Sequence, residues 1–184
     1  LSLHDALPIS CEPGRYLQGA RLVPPPLTGI NEAPAVAGKI GKKQRREQDR
    51  MTFMPWTQAL EVGIAEIDEQ HRWLVEQTNA LHQALQGEAP REQVGALLEG
   101  LMDYVMNHFI VEEHLFIRLG YPDTEAHQAQ HNLFSGQVMS LLSRHDCGET
   151  VGAETLELLK DWLTHHILKV DKAYVAHFRA HGLG

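Results

Sequence analysis

VGALLEGLMDYVMNHFIVEEHLFIRLG, residues 94–120, carries its inward positions in steps of three and four: Val94, Leu98, Leu101, Val105, His108, Glu112, Leu115 and Leu119. That spacing predicts one long amphipathic helix, and Gly120 with Pro122 stops it. Two of its inward positions are polar, because His108 and Glu112 stand where the apolar repeat asks for core residues. Left unpaired in a helical core, a neutral polar group costs on the order of 2–7 kcal/mol and an ion more. Something must offset that cost, and a bound metal does so directly.

Three further segments repeat the pattern. The first runs Ile67, His71, Leu74, Thr78, Leu81, Leu85 and ends at Gly87 and Pro90, after an entry arm with Pro55 and Trp56. A later one runs His127, His131, Phe134, Val138, Leu141, His145 and ends in a turn at 146–148. The last runs Leu156, Leu159, Leu163, His166, Val170. Long helices with short connections should pack antiparallel to their neighbours. The expected fold is therefore all-α, an up-down-up-down antiparallel four-helix bundle with an N-terminal arm and a disordered leader.

In the last segment the repeat slips by one residue. The old frame would bury Ala173 and His177; a frame shifted at Asp171 buries Asp171, Tyr174 and Phe178, which is more apolar. His166 and Asp171 are five residues apart, about 140° on a regular helix. A π-bulge between them would absorb the extra residue and return both to one face, and such bulges recur at functional sites.

Charge is shared unevenly. Residues 1–50 sum to +3 and residues 51–184 to −11, for −8 overall. An acidic helical domain offers no clustered basic surface for phosphates, so no nucleic-acid partner is expected. Residues 1–50 hold six prolines and a polar run from Lys39 to Arg50 without a hydrophobic period, and read as a disordered leader. Met51 opens a different composition, so residues 51–184 form the working domain and the leader's place in the native protein stays open. Cys11 and Cys147 are too few for a disulfide framework or a thiolate zinc site. With no long apolar run, no membrane insertion is expected, and a cytoplasmic monomer is the default reading.

His71, His108, Glu112, His127, His131, His166 and Asp171 thus fall in register with the seams of four helices. His108 with Glu112, and His127 with His131, lie four apart and share a face. Imidazole mixed with carboxylate and no thiolate suits iron, manganese or zinc. Two octahedral ions offer twelve positions; five imidazoles, two bridging carboxylates and one bridging oxide or hydroxide fill eleven. A redox-active pair with one open position suits a single small molecule, and dioxygen is the natural candidate.

The array His71, His108xxxGlu112, His127xxxHis131, His166xxxxAsp171 resembles the ligand signature of the hemerythrin family, bacterial single-domain branch, over residues from about 52 to 181. Supporting pieces are Trp56, Asp68 with Gln70 before His71, Gly120-Tyr121-Pro122 and Trp162-Leu163. The resemblance implies a non-haem di-iron centre, two iron ions with a bridging oxide or hydroxide, in which Glu112 and Asp171 bridge. It further implies that His127, His131 and His166 saturate one iron while His71 and His108 leave the other open for reversible dioxygen binding. The expected role is oxygen carriage, storage or delivery, not enzymatic, with a downstream oxygen-consuming enzyme as recipient. Two alternatives stand beside it: a di-iron oxidoreductase acting on peroxide or nitric oxide, and an oxygen- or iron-sensing module.

Among the remaining residues, His82, His114, His145, His165, His177 and His181 are expected at the surface or rim. Glu113 is expected to point outward into solvent, and Leu115 to form a wall or gate of the ligand pocket. Cys147 reads as an incidental turn residue.

Overall fold

The computed structural model describes residues 52–87 and 90–183. Contacts divide the chain into residues 1–34 and 35–184, and every described residue belongs to the second unit. The expected leader at 1–50 lies outside the described residues.

Four helical rods form the expected bundle: α1 (Ala65–Leu85), α2 (Arg91–Leu119), α3 (Thr124–Asp146) and a composite fourth. The fourth consists of α4 (Gly152–Asp161), a π-helical segment (Trp162–Asp171) and α5 (Lys172–Ala180), running without a break. α1 packs against α2 and α4, and α2 against α3. No strand occurs among the described residues. Among the described residues no helix is long and apolar enough to cross a membrane.

Local chemistry sets the ends. Asp68 in the first turn of α1 accepts from the N–H groups of Val62 (2.6 Å) and Gly63 (3.0 Å), where the positive pole of the helix favours a carboxylate. The arm before it is pinned by Asn79, which accepts from Met54 N–H at 2.8 Å and donates to its carbonyl at 2.7 Å. Arg72 stacks over Trp56 at 4.6 Å. At the end of α2, Gly120 adopts a left-handed φ of 63°, and Tyr121 N–H closes on the Phe116 carbonyl at 2.9 Å.

The seams are buried largely as the periodicity predicts, although Leu85, Leu156 and Val170 are only half-buried and the end of α2 needs a correction. Past Glu112 the inner position of α2 is Phe116, fully buried, whereas Leu115 and Leu119 are only half-buried. A straight helix of 3.6 residues per turn drifts against a strict heptad. By the third turn, His108, Glu112 and Phe116 follow one another in steps of four.

The slip in the fourth rod is real and broader than a single bulge. The extra residue is spread over ten π-helical residues, beginning at Trp162. Asp171, Tyr174 and Phe178 all turn inward and Ala173 outward, as the shifted frame requires. The core splits into two apolar clusters. One holds Leu98, Leu101, Tyr104, Phe109, Phe134, Trp162 and Leu163; the other holds Ile67, Phe116, Tyr121, Tyr174 and Phe178. The metal-capable residues form a polar layer of the interior that belongs to neither cluster.

Candidate metal centre

His71 comes from α1, His108 and Glu112 from α2, His127 and His131 from α3, and His166 and Asp171 from the π-helical segment. All seven side chains are buried to 2% exposure or less. They gather into two sets whose donor atoms lie within 4.8 Å of one another: Glu112, His127, His131, His166, and His71, His108, Glu112, Asp171. One set thus has three imidazoles and the other two.

The carboxylates stand between the sets. Asp171 turns Oδ1 to His127 Nε2 (3.3 Å) and His166 Nε2 (3.1 Å), and Oδ2 to His71 Nε2 (3.4 Å). Glu112 directs Oε2 to His131 (3.2 Å), His127 (3.6 Å) and His108 (3.7 Å). Its Oε1 accepts a 2.5 Å hydrogen bond from the Tyr174 hydroxyl. Both carboxylates therefore serve both sets, Asp171 with one oxygen for each and Glu112 with a shared oxygen.

Near as they are, the Nε2 atoms of all five histidines, Glu112 Oε2 and both Asp171 oxygens have no hydrogen-bond partner. Each such group left buried and unpaired costs about 1–3 kcal/mol. Donor atoms held at right angles about 2.1 Å from one ion would lie about 3.0 Å apart. The observed separations of 3.1–3.7 Å run close to that value. Lone pairs converging in this way fit a pair of cations.

Protonation follows the same logic. Burial would raise the Glu112 and Asp171 carboxyls, but the surrounding histidines outweigh it and hold both below the ordinary carboxylate range. Burial pushes His108 down to about 3, with Glu112 only partly opposing. Burial also lowers His166, against the pull of Asp171. At His127 the balance reverses: burial lowers it, yet the Asp171 and Glu112 carboxylates beside it take it up to about 9.

Residues 62–178 match the family model described as the hemerythrin HHE cation binding domain. This chain belongs to the hemerythrin family. It is 37% identical over 131 residues to a bacteriohemerythrin of Stenotrophomonas maltophilia, covering 71% of this chain and 85% of that protein. A bacteriohemerythrin of Methylococcus capsulatus is 38% identical, covering 67% of this chain and 95% of that protein. The crystal structure of a wild-type hemerythrin superposes with a TM-score of 0.62 at 35% identity, over 67% of this chain and 96% of that one.

Within this hemerythrin domain the histidines are oriented by side chains that sequence reading missed. Gln70 Oε1 accepts from His108 Nδ1–H at 2.8 Å, Glu113 Oε1 from His131 at 2.9 Å, and Gln130 Oε1 from His166 at 3.3 Å. An amide oxygen or a carboxylate can only accept, so each fixes the proton on Nδ1 and leaves the Nε2 lone pair facing inward. Glu113 is therefore not a solvated outward residue. It lies 100° round α2 from Glu112 on the side that meets α3, and Gln128 also donates to it at 2.8 Å. Gln70 and Gln130, each one residue before a metal-capable histidine, and Glu113, one residue after Glu112, were the available signal.

His114, His165 and His181 are exposed, and His82 and His177 half-buried, as expected of rim positions. His145 is instead buried at 8% exposure, its Nε2 at 3.0 Å from the Arg91 carbonyl, because it continues the seam of α3. Leu115 packs on the rim of the second apolar cluster. Phe116 instead makes the contact with the site at this turn of α2, its ring centroid 4.6 Å from that of His127.

Proposed function

We propose that His71, His108, Glu112, His127, His131, His166 and Asp171 hold two iron ions, and that the centre binds dioxygen reversibly for carriage, storage or delivery to an oxygen-consuming enzyme. The carrying observation is the convergence of five unpartnered Nε2 atoms and two carboxylates in a buried layer of the bundle. Membership of the hemerythrin family supports the choice of iron over other cations. When bound, the iron pair supplies the electrons that a dioxygen ligand draws on and recovers them when it leaves.

The chain supplies everything else. Gln70, Glu113 and Gln130 present Nε2 from three histidines. Tyr174 holds Glu112 by one oxygen so that the other faces the site. The uneven sharing of imidazoles, three against two, leaves the His71 and His108 side with fewer protein donors, and this side would hold the open position. Phe109 stacks flat on His131, its centroid at 3.7 Å, and Phe116 lies against His127; both rings exclude water. Exclusion of water favours a neutral diatomic ligand over hydrolytic or ionic chemistry.

Iron content and the visible spectrum of the anaerobically reduced protein, recorded before oxygen, after oxygen and after evacuation, test this reading. Two irons per chain and a charge-transfer band that comes with oxygen and leaves under vacuum are expected. Immediate irreversible oxidation, or turnover of peroxide, would replace binding with an oxidoreductase role.

A further inference from the structure

Tyr104 lies one turn before His108 on α2, and its ring stacks on the His108 imidazole with centroids 4.7 Å apart and planes 20° apart. Trp73 covers it at 5.8 Å and 16°. The side chain is buried at 6% exposure, yet its hydroxyl has no hydrogen-bond partner. Nor has the indole N–H of Trp162, which is 8% exposed and whose ring stacks on His166 at 3.6 Å and 11°. Nearly all buried hydroxyls and indoles find a partner, so of two orphaned donors beside one site at least one calls for an acceptor that the chain itself does not supply.

The two orphans are neighbours. The Trp162 N–H lies close enough to the Tyr104 oxygen to act on it, and the Glu112 and Asp171 carboxylates also reach the phenol electrostatically. An indole can only donate; a phenol both accepts and donates. With Trp162 N–H turned to the Tyr104 oxygen, the Tyr104 proton is free to point elsewhere. Through the stack on His108, the phenol stands on the two-histidine side of the centre.

We propose that Tyr104 is the hydrogen-bond donor to a small acceptor ligand at the open position beside His71 and His108, with the Trp162 N–H backing its oxygen. This rests on the iron-site reading above. The ligand class is a diatomic or triatomic molecule whose outer atom accepts a hydrogen bond. Tyr104 touches that ligand and Trp162 positions Tyr104. Phe109, Leu163 and Ile167, buried in the same apolar cluster as Tyr104, carry no donor, and the Tyr174 hydroxyl is already given to Glu112.

The test uses the full iron-loaded chain in its oxidised form, with azide as the probe. Wild-type protein must first hold two irons and bind azide with a visible charge-transfer band; failure at this step sinks the iron-site reading. Tyr104→Phe should keep two irons per chain, weaken azide about 2- to 10-fold, as loss of one hydrogen bond implies, and shift the band. Trp162→Phe should give a smaller change in the same direction. The bound azide stretch in the wild type should move in heavy water, and this movement should vanish in Tyr104→Phe. Unchanged azide affinity in Tyr104→Phe with iron retained would overturn the proposal. Should that variant fail to fold, an azide stretch of the wild type that ignores heavy water would overturn it equally.

Discussion

Gln70, Glu113 and Gln130 decide which nitrogen three of the site's histidines present, and they do so from three different helices' neighbours. Glu113 reaches from α2 to His131 on α3, and Gln130 from α3 to His166 on the fourth rod. Gln70 reaches from α1 to His108 on α2. Each bond both aims an imidazole and ties two rods together. Removing such a partner typically weakens metal binding about 10- to 100-fold while leaving the ligand in place. Glu113→Ala is therefore expected to release iron to a competing chelator by a factor in that range, with the helical content of the domain unchanged. Iron retention equal to wild type would show that packing alone orients His131.

The π-helical segment is the element that departs from regular geometry. His166 and Asp171 would diverge on an α-helix, and over Trp162–Asp171 the wider winding brings both inward while keeping Tyr174 and Phe178 on the core side. It also lays Trp162 flat on His166. Such segments carry poorer backbone hydrogen bonding and survive where function needs them. Deleting the exposed Lys169 should let the rod return to an α-helix. The iron-free domain is then expected to melt higher, and the iron-loaded one to lose metal more readily, because Asp171 moves along the axis by about 1.5 Å. Parallel melts of both forms decide the matter: a lower iron-free melting temperature would mean that the wide turn serves packing and not the site.

Among the described residues the interior holds two apolar clusters and a buried polar layer, so the layer's charge state governs the bundle's stability. Iron removal leaves buried groups without partners, and chelation should lower the melting temperature. The pH dependence of the iron-free form follows from the shifted groups. His108 is held at about 3 against an ordinary 6.5, so its contribution is present above 6.5 and lost as pH falls from there. The Glu112 and Asp171 carboxyls are held low, and their contribution is likewise lost on acidification. His127, raised to about 9, stabilises fully below 6.5 and less as pH rises through 9. Melts across pH 4–9 should peak near neutrality and fall more steeply on the acid side; a flat acid limb would refute the burial of neutral His108. By itself the sequence determined the four rods, their inward seams, the seven metal-capable positions and the slip at Asp171, because helical periodicity is a property of one chain segment and reads off in one dimension. Only the tertiary structure decided the rest: that Phe116 replaces Leu115 beside the site, that Glu113 turns to His131, that Tyr174 holds Glu112, and that Tyr104 and Trp162 bring two unpaired donors together. Those relations depend on the rotation and rise of one helix against another, where a shift of one residue's angle exchanges a solvent contact for a buried one.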